Sequence, residues 1–527
     1  MMKEFNITTT CIPEKHYMVD TSKKLDKIIK MLIEKDKYFT INRARQYGKT
    51  TTMFRLMDIL EEKYIVIKTS FEGKSYLFKD EETFATDIFV LFAESFRFTD
   101  KEIYAKLQKY GVANMKNMKD VSSEITRLCE ESEKEIILMI DEIDKASNFV
   151  VFMDFLGELR DKYINTQNNM DRTFKSVILA GVSDIKNLKV HISERRVLTS
   201  NEAEKLQKGE YNSPWNVAAD FEIDMNFSPE EIATMLEEYE KDNKIGMNIE
   251  KISKVIYEYT NGYPFLVSKI CKLIDERLEK DWSTNGIQES IKIMVDEKNT
   301  LFDDIIKNLK NDPKLYNTIY EIIVEGKEKP YNYYTYEKGI IYGILAKGEN
   351  GKLRIHNKIF EILIYSYMAS ERDEEKGEVL KYDYRTNFID EQGDLKVPTI
   401  LEKFQLLMKQ EYREVDKKFV EQEGRLLFLC FIRPIINGTG FYFVEPRTRQ
   451  DNRMDIVITY NRKQYIIELK IWHGEKYEEK GIDQLARYLD IQNEDEGYMV
   501  IFNFNKSKEY TREWMGVDGK RIYEVIV

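Results

Sequence analysis

Short, almost wholly apolar runs alternate with helical-period stretches in the N-terminal part of the chain. The runs are YFTI (38–41), YIVIKTS (64–70), IILMID (136–141) and SVILAGVSD (176–184). A run without a polar face marks a strand buried on both sides, as in a parallel sheet. Between the runs, Met53, Leu56, Met57 and Leu60 share one helix face, and helical patterns fill 81–98, 118–131 and about 149–164. An amphipathic helix carrying Leu25, Ile28, Ile29, Leu32 and Ile33 precedes the first run. This alternation predicts an α/β fold with a doubly wound parallel sheet.

The pattern then changes. DFEIDMN (220–226) reads as a short strand, and Ser228-Pro229-Glu230-Glu231 as a helix start. Gly262-Tyr263-Pro264 opens an apolar helix. Residues 312–369 hold two helical patterns and then apolar stretches around the hairpin-type turn Gly348–Gly351, which predicts a winged helix. Its predicted reading helix carries few cations, so packing or autoinhibition is expected of it rather than base readout. ERDEEKGE (371–378) lacks an apolar period and reads as a linker. A helix through VEQEGRLLFLCFI (420–432) follows, then strands in RMDIVITY and KQYIIELKIW that pair through a turn near Asn461-Arg462. The domains expected are an α/β core at 1–210, a helical lid at 211–300, a winged-helix-like segment at 301–370, a linker at 371–400 and a second α/β domain at 401–527.

Composition narrows the class. At 527 residues and 42% hydrophobic content, three to four packed domains of roughly 150 residues each are expected. The longest apolar run, LLFLCFI (426–432), is too short to cross a bilayer, and MMKEFNITTT lacks a signal-peptide core. Cys11, Cys129, Cys271 and Cys430 are scattered, which suits reduced thiols in the cytoplasm. The four histidines are dispersed, so zinc is not expected. A net charge of −12 argues against a general DNA-coating protein and leaves room for a local basic groove.

The first candidate chemistry sits where run 38–41 meets its helix. Gly48-Lys49-Thr50 lies between strand and helix, where backbone N–H groups and the helix dipole favour an anion. Gly48 allows close approach to a phosphate, Lys49 reaches the β/γ-phosphates and Thr50 ligates Mg²⁺. Arg43 stands where the usual G-x-x-x-x-G-K-[ST] pattern has its first glycine. Run 136–141 ends in Asp141-Glu142: Asp141 suits a magnesium-bound water, and Glu142 suits a base for the attacking water. RARQYGKTT, IDEID and LAGVSD together resemble bacterial AAA-like ATPases close to the STAND and archaeal-type P-loop ATPases, over roughly residues 10–370. That resemblance implies ATP and Mg²⁺ as cofactors and a nucleotide-contacting stretch of Arg43, Arg45, Gln46, Tyr47, Gly48, Lys49, Thr50 and Thr51. It further implies Ser183 as γ-phosphate sensor and Pro264 as the lid's contact to the nucleotide. Arg195 and Arg196 lie where an arginine finger could sit, although a solvated pair fits them better. Tyr17 either covers the base or is an ordinary buried tyrosine.

The second constellation lies near the C-terminus. Glu468 and Lys470, two apart on a strand, share one face, and Asp455 precedes the partner strand. Two carboxylates beside a lysine can hold a divalent ion and orient a water. Asp455 with the E-L-K of residues 468–470 resembles the signature of the PD-(D/E)XK nucleases, a restriction-endonuclease-like α/β fold. The resemblance implies Asp455 and Glu468 as metal ligands, Glu423 as an acidic helix residue, and Gln484 with Tyr488 as a Q-x-x-x-Y element. Arg433, Arg447, Arg449, Arg453, Arg462 and Lys463 supply cations for a nucleic-acid backbone. The function expected is ATP hydrolysis coupled to Mg²⁺-dependent cleavage of nucleic acid, with DNA favoured, no membrane partner, and oligomerisation open. The alternatives are a nucleotide-dependent switch or scaffold that binds without cutting, and a protein-remodelling ATPase.

Overall fold

The computed structural model describes residues 3–111, 115–146, 150–182, 214–323, 327–348, 350–376, 388–411, 421–436, 440–444, 456–461, 463–492, 494–505 and 508–527. They form two compact units. The first comprises Met1–Phe227, Glu237–Asp242 and Ile341–Gly343; the second comprises Ser228–Leu236, Asn243–Ile340 and Ile344–Val527.

The first unit is built on a four-stranded, all-parallel sheet. Its strands are β1 (Phe39–Asn42), β2 (Ile65–Ser70), β3 (Ile136–Asp141) and β4 (Ser176–Gly181), in the order β1-β4-β3-β2. These are the four apolar runs. Every residue of β3 and β4 is buried, because helices cover both faces and leave no side for a polar alternation. An aromatic core including Phe71, Phe78, Phe84, Phe92, Phe152 and Phe155 fills one side. The helix Met118–Glu130 begins with a reciprocal capping box, Asn117 with Asp120. Tyr17 is buried against Phe5 and Tyr239 and donates to Asp242, an ordinary packing role.

Segment 220–226 does not form the expected strand. The bridge of Ala219 to Phe39 stops just before it, and the carbonyls of Phe221 and Ile223 are taken by the Arg43 guanidinium. Trp215, fully buried, anchors the start of this segment by donating to Thr40 Oγ1 at 3.0 Å.

The second unit begins as helices and ends as a sheet. Helices Ile249–Thr260, Pro264–Arg277, Thr284–Asp296, Thr300–Asn311, Pro313–Ile323 and Tyr333–Ile341 lead to a small hairpin of β5 (Leu345–Lys347) and β6 (Leu353–Ile355). The helix Lys358–Lys376 follows and runs through the first six residues of the charge run expected to be linker. Glu, Arg and Lys are good helix formers, so the helix continues beyond its apolar face.

A six-stranded mixed sheet follows. Its strands are β7 (Gly440–Val444), β8 (Ile456–Tyr460), β9 (Lys463–Ile471), β10 (Glu496–Phe502), β11 (Arg512–Val517) and β12 (Lys520–Ile526), in the order β11-β12-β10-β9-β8-β7. β7, β8 and β9 form an antiparallel meander, and Asn461, in the left-handed region at φ 48°, turns β8 into β9 as expected. The helix Glu475–Gln492 then carries the chain to β10, parallel to β9. It lies on the face that presents Lys470 and Met499, where a Cβ added to Gly481 would be 3.5 Å from Lys470 Cγ and 3.6 Å from Met499 Cε. Helices Val397–Glu411 and Glu421–Ile436 pack on the opposite face, around Phe502. The sheet is also tied to the helices of its own unit: Gln464 on β9 donates to Asn285 at 3.1 Å and to Gln288 at 2.7 Å. No helix of the described residues is long and apolar enough to cross a membrane.

Candidate functional sites

β1 delivers the chain into the loop 43–48, and the helix Lys49–Leu60 leaves it. Gly48 caps that helix at φ 77°, ψ 16°, a left-handed conformation that a Cβ would strain. The helix has no acidic residue in its first turn, so the helix itself supplies no counter-charge to its positive end. Lys49 is 8% exposed and folds back across the loop, donating to the carbonyls of Arg43 at 2.9 Å and Ala44 at 3.0 Å. Burial pulls its ammonium below the usual lysine range; Asp144, Glu142 and Asp141 counter this.

β3 brings the acids to the same place. Asp141 is buried, and its Oδ2 accepts the Thr50 hydroxyl at 2.6 Å while its Oδ1 accepts the Glu142 N–H at 2.9 Å. Thr50 and Asp141, 91 positions apart in sequence, thus stand side by side. One hydroxyl and one carboxylate suit magnesium, which takes few protein ligands and fills its octahedron with water and phosphate oxygens. Glu142 sits in the left-handed region at φ 53°, a strain of about 1–3 kcal/mol for a non-glycine residue. Burial, then the neighbouring Asp141, push its carboxyl above the ordinary range, as suits a base.

The other loop residues divide. Arg43 turns to carbonyls: its Nη2 donates to Ile223 at 2.9 Å, and its guanidinium lies 5.2 Å from the Phe221 ring centre. Tyr47 is buried and donates to Asn226 Oδ1 at 2.5 Å. These two side chains therefore tie the loop to segment 221–226. Thr51 accepts the Cys11 N–H at 3.3 Å, Arg45 is exposed, and Gln46 takes φ 56°. Ser183, Arg195 and Arg196 lie outside the described residues. Pro264 is the first residue of its helix and belongs to the second unit.

The sequence reading passed over Asp144 and Gly181. Asp144 Oδ2 accepts the Val182 N–H at 2.6 Å, and an added Cβ on Gly181 would lie 2.6 Å from Ile143 Cγ1 and 2.9 Å from Asp144 Oδ2. The signal was present as the last acid of IDEID. Gly181→Ala should therefore lower unfolding free energy by about 1–3 kcal/mol in a denaturant titration, because both side chains must shift.

In the second unit, Glu468 is fully buried on β9, and Lys470 Nζ lies 2.7 Å from its Oε1. Gln484 is on the helix Glu475–Gln492, one turn beyond Gly481, and its Nε2 donates to Tyr488 OH at 3.5 Å. The described ladder of β8 ends at Ile456, opposite Ile467. Asp455 lies outside the described residues, as does the side chain of Glu423, which is on the helix Glu421–Ile436. Arg447, Arg449, Arg453 and Arg462 are also outside them. Arg433 donates to the Ser366 carbonyl, and Lys463 pairs with Asp394. Among the described residues no group of three or more His, Cys, Asp or Glu could hold a metal ion.

Glu524 is a further buried acid of this sheet. It is in register with Met499, which is in turn in register with Glu468, and Glu513 lies directly opposite it on β11. Burial above all, then Glu478, push its carboxyl to about 8. The folded chain thus holds this proton more tightly than the unfolded chain does. The resulting stabilisation is complete below the ordinary value of 4.5 and is lost as pH rises through about 8. Glu524→Gln should flatten the decline in denaturation midpoint across that window.

No protein-family model matches the sequence, and no curated protein matches it. Solved structures do match. A Walker-type ATPase of Pyrococcus abyssi is 12% identical at TM-score 0.45, covering 68% of this chain and 99% of that one. The Holliday-junction branch-migration motor RuvB of Thermotoga maritima is 11% identical at TM-score 0.31, covering 64% and 92%. The ORC2 protein of Aeropyrum pernix is 11% identical at TM-score 0.28, covering 70% and 97%.

Proposed function

We propose that the first unit binds and hydrolyses ATP and that the C-terminal sheet domain cleaves a phosphodiester of nucleic acid, DNA being favoured, with a divalent metal. The observation that carries the first half is the 2.6 Å contact of Thr50 with Asp141 beside a loop crossed by Lys49. A triphosphate entering the loop would take the Lys49 ammonium from the carbonyls of Arg43 and Ala44. Glu142 would accept a proton from the attacking water. Magnesium, held by Thr50 and Asp141, would supply neutralising charge.

The second half is supported by the buried Glu468–Lys470 pair under a helix bearing Gln484. Glu468 and Asp455 would hold the divalent ion, and Lys470 would orient the water. A cytoplasmic setting and self-association belong to the same proposal. The test is a cleavage assay over single- and double-stranded DNA and RNA, with Mg²⁺ or Mn²⁺ and with ATP, ADP or neither. Metal-dependent cutting by wild type supports the reading; its absence throughout favours the switch or scaffold. One observation favours that second reading: the Glu468 charge is already balanced internally by Lys470.

A further inference from the structure

A cleft of about 250 Å³ opens within the second unit, where the helical layer meets the C-terminal sheet. Asp296, Ser366 and Tyr367 line it from helices, and Arg433, Phe441 and Tyr442 line it from the sheet domain. Its walls are fixed by bonds across the seam. Arg433 Nη1 donates to the Ser366 carbonyl at 2.7 Å, and Ser366 Oγ lies 2.8 Å from Tyr442 OH.

Asp296 is badly placed for stability. It is the last residue of the helix Thr284–Asp296, where the helix dipole opposes a negative charge. It lies at the mouth, partly in solvent and partly against the wall, and burial pushes its carboxyl up despite the cations Lys292 and Arg433; Glu289 adds to the rise. No hydrogen bond or ion pair among the described residues claims it. An acid kept where its own fold disfavours it suits a ligand that brings hydrogen-bond donors.

The remaining walls narrow the ligand. Phe441 and Tyr442, almost fully buried, supply apolar wall, and the partly exposed Tyr367 is the ring on which a flat ligand can stack. The volume falls below the roughly 300–1,000 Å³ of pockets for drug-sized ligands, so a base or nucleoside fits it better than a triphosphate. Guanine presents paired N–H donors on one edge and the O6/N7 acceptors on another. A carboxylate matches the first edge, and the cation of Arg433 suits the second. We infer that this cleft is a binding site for a guanine base, distinct from the phosphate loop of the first unit and independent of whether either unit is catalytic.

Calorimetric titration of the full chain with guanosine tests this. Lacking phosphates, guanosine has no claim on the phosphate loop. Saturable binding is expected, at least tenfold tighter than that of adenosine or cytidine and unchanged in Lys49→Ala. Asp296→Asn, which removes an acid from a helix end and should keep its fold, is expected to weaken guanosine binding at least tenfold. Absence of guanosine binding by wild type, equal binding of the three nucleosides, loss of binding in Lys49→Ala, or full affinity in Asp296→Asn would each overturn the assignment.

Discussion

Lys49→Ala is expected to slow phosphate release from ATP by about a hundredfold to a thousandfold, the range seen when one preorganised charge partner is removed from a transition state. The ammonium is buried at the mouth of a helix without acids in its first turn, so no other described side chain of that turn brings a charge to the developing phosphate. Removing it also leaves the carbonyls of Arg43 and Ala44 without this donor, which lowers stability by about 1–3 kcal/mol if they stay dry. Glu142→Gln separates the two effects. It leaves Lys49 and the Thr50–Asp141 contact in place, so it should retain ATP while losing turnover. The wild-type rate should rise with pH through the raised pKa of Glu142, since only the ionised carboxylate accepts the proton. Unchanged phosphate release in Lys49→Ala would remove the basis for placing ATP chemistry in this loop.

Lys470→Ala should abolish metal-dependent cleavage and also destabilise the second unit by about 3–5 kcal/mol, because it leaves a buried carboxylate without its cation. Exposure decides the size of the effect: the side chains are 13% and 0% exposed, so solvent does little to screen the pair. The double variant Glu468→Gln with Lys470→Met removes both charges and should recover most of the stability, since a buried ion pair is often replaceable by neutral groups. It should not recover cleavage. Guanidinium titration reads the first result and oligonucleotide cutting the second. If Lys470→Ala cuts as well as wild type, the pair is structural and the assignment of cleavage to Glu468 and Lys470 fails.

The parallel sheet could be read from the sequence because strands buried on both faces leave continuous apolar runs. The end of one such run marks Asp141 as a strand-end acid. The turn at Asn461 was equally local, an αL-tolerant residue between two alternating strands. What could not be read was non-local. Nothing near Arg43 says that its guanidinium will be claimed by the carbonyls of Phe221 and Ile223, some 180 positions away, or that this denies segment 220–226 its ladder. The left-handed Glu142 is a conformation imposed by surroundings, for which glutamate has no preference of its own. Asp518-Gly519, both at positive φ, joins β11 to β12, a local hairpin signal that went unread. Its place in the sheet has no local signal, because β12 pairs with β10 about 25 residues earlier, Arg521 with Glu496, and such pairing leaves no periodic trace.

That placement bears on how the protein is made. β12, from residues 520–526, lies between β10 and β11, both synthesised before it. Until those residues leave the ribosome, β10 keeps a bare edge of unpaired amides and carbonyls, the kind of edge that recruits other strands. A nascent or prematurely terminated polypeptide therefore exposes a sticky, unfinished sheet, and the sheet bearing Glu468 and Lys470 is complete only once residues 520–526 have been added.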